Sequence, residues 1–469
     1  MRRHAFRILM LVLLVALTVP RLTQRGMFGD GLLYAAVSRN LSVGVGSFWS
    51  PTYTLTTDAD FFEQPPLGFG LEALAFRLFG QHPAVERVYS LTLFALTALF
   101  IVALWRRVQP AEEDWVPLLF WVLPSIVTWA AVNNMLENAQ SVFTTAAVLM
   151  LLIAAEAATA LVVSAWSVAA AVAIAGAVLV KGPVGLFPLA TPLLLAVLLR
   201  RQSLRSALGG TVVMLLVLAA GAVALTLYPP SHHALAEYLH TQLIPSLQGK
   251  RETNGDPLAV VRHLGLGIVA RMAVVVIASW LLARRRVGLE RVPWKLGAFF
   301  FALALCGSLP IGVSPKLVGH YFLPSVPFFA LACAVIARAP LAVLTRRSES
   351  RMPGVVLGVA AALAVASCLV IATKGSLDRR DTALLADLDA VAPLLPREAT
   401  IGACAASRMD WRLHSYVSRL YGVSLDTNDQ PVNGWLLQVD RGCTPPPPCT
   451  ATSTGVSVVL FRCGPAAGR

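Results

Sequence analysis

The sequence predicts a polytopic α-helical membrane protein, with about eleven spans in residues 1–373 and a small α/β domain in residues 374–469. Three observations carry this. Hydrophobic residues make up 57% of the chain and charged residues 13%, with a mean hydropathy of +0.69. A soluble domain would have about a quarter of its residues charged. Apolar runs long enough to cross a bilayer recur along the chain. The basic residues fall in alternate connections between those runs, which is the positive-inside pattern.

The eleven runs are 8–20, 85–105, 115–132, 139–155, 161–180, 183–199, 207–227, 264–283, 296–311, 321–337 and 355–373. The net charge of +13 is distributed over Arg2, Arg3 and Arg7; Arg106 and Arg107; Arg200, Arg201 and Arg205; Arg284, Arg285, Arg286, Arg291 and Lys295; and Arg338, Arg346, Arg347 and Arg351. That spread makes no single basic patch, so nucleic acid is not an expected partner. It places the N-terminus in the cytoplasm and the loops 21–84 and 228–263 on the exoplasmic side of a cell membrane. An odd number of spans puts the C-terminal domain there too. The apolar stretch behind MRRHAFR has no small-residue cleavage site, so it reads as a retained anchor.

The first exoplasmic loop organises the rest. Apolar spacing predicts two short helices lying on the membrane, over 32–41 and 67–79. The second follows Pro65-Pro66, a favourable helix start. Asp30 and Glu63 sit in this loop, and ionised carboxylates beside hydrocarbon are functional candidates by default. Glu137 opens the fourth span after Asn133 and Asn134, where a carboxylate also complements the helix dipole. Lys181, before Gly182-Pro183, runs against the positive-inside bias; it fits a phosphate contact or a headgroup anchor equally well. Lys316, His320 and Tyr321 lie in a late connection on the same side. The loop 228–263 carries His232, His233, His240 and His263, and histidines with carboxylates on one face invite a divalent metal. There is no HExxH pattern, Walker loop or dinucleotide fingerprint to place cytosolic nucleotide-sugar chemistry.

Past residue 373 the composition predicts a helix near 377–396 and strands at ATIGACA, GWLLQVD and VSVVLFRC. Cys404, Cys443, Cys449 and Cys463 lie there, and an oxidising compartment allows two disulfides. The spacing favours Cys443 with Cys449 and Cys404 with Cys463.

Taken together, the polar motifs resemble those of the GT-C class of integral-membrane glycosyltransferases, which includes protein O-mannosyltransferases and lipid A aminoarabinose transferases. Asp30 with Tyr34 and Arg39 is similar to the start of the family's first exoplasmic loop. Phe62-Glu63-Gln64-Pro65-Pro66-Leu67 resembles its Phe-Glu-Lys-Pro-Pro-Leu element. Glu137, Lys181-Gly182-Pro183, and Lys316 with His320, Tyr321 and Pro324 match later elements in order. The resemblance covers residues 1–337. It implies sugar transfer from a polyprenyl-phosphate-linked donor to a lipid, glycan or protein acceptor, with inversion and with Asp30 as general base. Glu63 and Glu137 would hold a metal or orient the substrates. Tyr34, Arg39, Gln64, Lys181, Lys316, His320 and Tyr321 would bind the donor and acceptor, and Glu63 with His240 would take the metal. Two departures stand out. Gly31 replaces the usual second acid, and Gln64 replaces the lysine that contacts the donor phosphate, leaving that charge to Lys181, Lys316 or an arginine. The rival reading is a lipid or sugar transporter or flippase, which predicts inverted repeats and mid-membrane charges that the sequence does not display.

Overall fold

The structure is a computed structural model describing residues 2–110, 113–250, 256, 258–284, 287–288, 292–313, 316–346 and 352–464. Arg285, Arg286, Arg291, Arg347 and Arg351 lie outside the described residues. Among those described, nine helices are long and apolar enough to span a bilayer. The first eight helices are α1 (Arg2–Leu22), α2 (Gly29–Ser42), α3 (Leu67–Phe79), α4 (Ala84–Val108), α5 (Trp115–Val122), α6 (Ser125–Val132), α7 (Leu136–Ala155) and α8 (Ala160–Lys181). Further spans are Leu204–Leu227, Val261–Ala283, Trp294–Gly312, Gly319–Thr345 and Met352–Lys374.

Two of the eleven predicted runs differ from a straight span, each for a local reason. The run 115–132 is split into α5 and α6, which meet at 82°. Pro124 has an extended backbone at the break, as its ring cannot continue the hydrogen-bond ladder. The run 183–199 forms only a short apolar helix, Pro183–Leu199. Its prolines at 183, 188 and 192 favour 3₁₀ turns over a full α-helix.

The expected helices in the first loop are α2 and α3. They lie against the α6–α7 turn instead of forming a loose connector, in a core of Tyr34, Val37, Phe61, Phe69, Leu136 and Val180. On the opposite membrane face the alternate-connection arginines pin spans together. Asp114 accepts from Arg7 at 2.9 Å and also from Arg106. Glu156 pairs with Arg107 at 2.8 Å and with Arg201 at 3.5 Å.

The C-terminal domain contains a five-stranded sheet ordered β2-β1-β3-β5-β4. The strands are β1 (Thr400–Ala403), β2 (Ser424–Asp426), β3 (Trp435–Val439), β4 (Cys449–Thr454) and β5 (Val458–Cys463). β1 runs parallel to β2 and β3, whereas β5 is antiparallel to β3 and β4. The predicted strands are β1, β3 and β5; β2, β4 and the helix Trp411–Tyr421 are additional. The disulfides are Cys404–Cys443 and Cys449–Cys463, which corrects the pairing favoured from spacing. Cys449 stands directly opposite Cys463 in the β4–β5 register. Cys404 directly follows β1, whose neighbour β3 leads into the turn before Cys443, and the two Cα atoms are 5.5 Å apart.

Met27 and Leu32, from the entry to α2, belong to this domain's core with Leu388, Ile401, Tyr416, Val417 and Leu437. Burying these side chains against each other is what docks the domain on the membrane part.

Candidate functional site

Asp30 occupies the first turn of α2, and no side-chain hydrogen bond reaches it among the described residues. Tyr34 lies one turn on, hence on the same helix face, and is buried. Burial raises the Tyr34 hydroxyl well above its usual range, and the negative charges of Asp30, Glu137, Tyr321 and Glu63 add to the shift in that order. Three carboxylates far apart in the chain therefore act on one ring.

Gly31 explains part of this convergence. A Cβ at Gly31 would lie 1.7 Å from the Asn133 carbonyl oxygen, so α2 approaches the α6–α7 turn as closely as backbone allows. The turn answers with hydrogen bonds. The Phe28 N–H donates to Asn133 Oδ1 at 2.9 Å, and Asn134 Nδ2 donates to the Gly31 carbonyl at 3.2 Å. The missing second acid is thus a packing requirement of this chain.

Glu137, the second residue of α7, is almost wholly withdrawn from solvent, its side chain 1% exposed. Its Oε1 accepts from Lys181 Nζ at 2.6 Å and lies 3.7 Å from His320 Nε2. Glu137 Oε2 and His320 Nε2 are both buried with no hydrogen-bond partner. Lys181 ends α8, and Gly182 then takes φ +89°, a conformation open to glycine. A Cβ there would also lie 2.2 Å from the Tyr238 hydroxyl. The turn thereby holds the ammonium between two rings, 5.7 Å from the Tyr34 centroid and 5.3 Å from that of Tyr321. His320 stacks on Trp129 at 5.7 Å and meets Phe28 at 6.1 Å.

A cavity of about 700 Å³ opens beside this cluster. Its polar end holds Gln64, Glu137, Gln140, Lys181 and Tyr321. Its wall is apolar, formed by Val184, Leu186, Phe187, Leu189, Leu243 and Leu247. The arrangement suits a ligand with an anionic head and a hydrocarbon tail.

The other predicted residues are placed differently. Glu63 is exposed at the loop beside Gln64, and Lys316 is half-buried outside the cavity lining. Arg39 does not line the cavity; it is buried and paired with Glu398 of the C-terminal domain. His240 is exposed on the helical turn Leu239–Leu243. Nearer the loop stands His233, whose ring meets Phe62 at 5.3 Å. Among the described residues, neither Glu63 nor His240 joins a cluster of three metal-ligating groups. The cluster that does form, Cys404, Asp429 and Cys443, has its two sulfurs bonded to each other.

Sequence reasoning missed Gln140, Tyr238 and Glu72. Gln140 follows Glu137 by three residues on one face of α7 and donates to the carbonyls of Ala177 and Gly182 at 3.1 and 3.4 Å. Glu72 is fully buried in α3, accepting from Ser38 at 2.8 Å and Asn134 at 2.7 Å. The signal was available: a single acid in the otherwise apolar LGFGLEALAF.

The fold and site define a polytopic helical membrane protein with a cavity that has a polar end and an apolar wall. No family profile matches the sequence, nor does any curated protein sequence. Among solved structures, the chain has the GT-C fold of ArnT from Cupriavidus metallidurans, a lipid A aminoarabinose transferase. The apo structure aligns at 17% identity and TM-score 0.66, over 97% of this chain and 98% of that one. The same protein bound to undecaprenyl phosphate aligns at 16% and 0.66, over 98% of each chain. An oligosaccharyltransferase from Archaeoglobus fulgidus, in complex with Zn and sulfate, aligns at 15% and 0.43, covering 92% of this chain and 58% of that one.

Proposed function

We propose that this chain is an inverting glycosyltransferase of the cell membrane that takes its sugar from a polyprenyl-phosphate-linked donor on the exoplasmic side. The observation that carries the reading is the cavity in which the Lys181–Glu137 pair stands at the head of an apolar wall. The ArnT fold, solved with undecaprenyl phosphate, supports it. The positive-inside pattern supports an exoplasmic site with a cytoplasmic N-terminus.

In this mechanism the donor's polyprenyl tail lies along Val184, Phe187, Leu189 and Leu243, and its phosphate faces Lys181. Asp30 takes the proton of the acceptor hydroxyl as that oxygen attacks the anomeric carbon. The bond from the anomeric carbon to the phosphate oxygen breaks on the opposite side, so the configuration inverts. Base assistance of this kind is worth about 10² to 10⁴ in rate. The leaving polyprenyl phosphate gathers negative charge, which the Lys181 ammonium stabilises in a site that excludes water. Glu137 keeps Lys181 in place, and Glu63 and Gln64 face the sugar from the loop. A divalent cation, were one bound, would add charge stabilisation at the phosphate.

Membranes carrying wild-type or Asp30→Asn protein, given radiolabelled undecaprenyl-phosphate sugars, test the reading. Loss of sugar transfer with undecaprenyl phosphate still bound supports it. Lipid translocation that is unaffected by Asp30→Asn, with no sugar transfer by wild type, would instead establish a flippase.

A further inference from the structure

The helix that carries Asp30 is held from two sides. On the membrane side, Gly31 rests on Asn133, and Ser38 bonds the buried Glu72. On the other side, the contacts come from the C-terminal domain, directly or through Tyr53 of the first loop. At the entry to α2, the Met27 N–H donates to the Tyr416 hydroxyl at 3.0 Å, and that hydroxyl donates to Asp381 at 3.0 Å. The Arg380 guanidinium lies 5.4 Å above the Phe28 ring. At the last turn, Arg39 pairs with Glu398, its side chain 8% exposed against 54% for its partner. Asn40 donates to the Tyr53 carbonyl at 2.8 Å, and Tyr53 shares a 2.7 Å hydrogen bond with Ser415. The helix Trp411–Tyr421, which supplies Tyr416 and Ser415, is itself anchored to α4 through Arg419 and Glu86 at 2.6 Å, both buried.

We infer that the C-terminal domain is a working part of the catalytic apparatus: it clamps both ends of α2, and Arg39 is a positioning residue for Asp30, not a ligand of the substrate. This rests on the reading of Asp30 as the general base. Arg39 does not line the cavity, and its guanidinium is engaged by Glu398. Near-attack positioning is sensitive to displacements of about 1 Å, and α2 has no span of its own to anchor it. A buried guanidinium that loses its carboxylate is left uncompensated, so the helix end must shift to reach water.

Charge reversal tests the clamp in the full chain, reconstituted in nanodiscs: Arg39→Glu, Glu398→Arg and the double reversal. Each single reversal is expected to raise amide hydrogen exchange over residues 29–42 by about tenfold or more. Each should lower sugar transfer by about tenfold or more through kcat, while the Kd for undecaprenyl phosphate moves less than about threefold. The double reversal should restore exchange and transfer together, the signature of a direct pair. Should Arg39→Glu fail to accumulate, Glu398→Gln, on the exposed partner, reads the same exchange. Unchanged exchange in the single variants would overturn the clamp. So would a fall in undecaprenyl phosphate affinity that matches the loss of transfer and is not rescued by the double reversal, which would make Arg39 a ligand. A wild-type chain that transfers no sugar would instead remove the role of Asp30, even with exchange as expected.

Discussion

Lys181 Nζ and Glu137 Oε1 stand 2.6 Å apart, with the two side chains 10% and 1% exposed and 44 positions apart in sequence. A buried pair of this kind is costly to leave half made. In the proposed site it also means that the cation awaiting the donor phosphate is already neutralised.

Lys181→Met is therefore expected to weaken undecaprenyl phosphate binding by about tenfold or more, the loss of one charge-assisted contact. Glu137→Gln should act in the opposite direction on binding, tightening it about threefold, because the ammonium no longer has a competing carboxylate. Titration calorimetry or native mass spectrometry with undecaprenyl phosphate reads both. Equal weakening in the two variants would contradict the assignment of Lys181 to the phosphate.

The apolar wall makes a separate prediction. Ala190 lines the cavity, and Ala190→Trp would fill part of its volume. Binding of undecaprenyl phosphate should fall about tenfold, whereas binding of a short-chain isoprenyl phosphate should fall less, since tail burial is worth about 0.8 kcal/mol per methylene. Equal losses for both lipids would place the tail elsewhere.

Gly31→Ala should cost about 1–3 kcal/mol, the usual range for overpacking, because its new Cβ meets the Asn133 carbonyl at 1.7 Å. Gly31→Glu, which restores the acid common in similar proteins, should reduce yield and thermal stability without raising transfer. An active, stable Gly31→Glu protein would show that α2 has room the structure does not give it.

Glu72 yields a pH dependence. Burial first, then the nearby Glu86 carboxylate, push its carboxyl from 4.5 up to about 8. The folded state holds this proton more tightly than the unfolded one. Its stabilising contribution is fully present below pH 4.5 and is lost as pH rises through about 8. Glu72→Gln keeps a neutral group among Ser38 and Asn134, so it should raise the unfolding temperature at pH 8.5 by roughly 2 °C or more. The difference from wild type should vanish toward pH 5. A gap that does not change with pH would mean that Glu72 is ionised throughout.

Much of the site was legible because its residues announce themselves locally. Lys181 is a cation that breaks the positive-inside pattern of the sequence, Glu137 an acid opening an apolar helix, and Asp30 an acid before an amphipathic one. What was not legible depends on partners remote in the chain. No local pattern announces that Arg39 pairs with Glu398, 359 positions later. The helix Trp411–Tyr421 looks too polar to be interior, yet His414, Ser415, Ser418 and Arg419 are all buried, because it is wedged between the sheet core and α2. The disulfides were misjudged for the same reason. Proximity in sequence favoured Cys443 with Cys449, whereas the β4–β5 register sets Cys449 against Cys463.

Met27 reaches across 389 positions to Tyr416 and shares a core with strands translated long after it. The entry to α2 therefore stays uncovered on that side until the sheet has been made. Under the proposed role of Asp30, a chain interrupted before its sheet would insert its helices with the base left unpositioned.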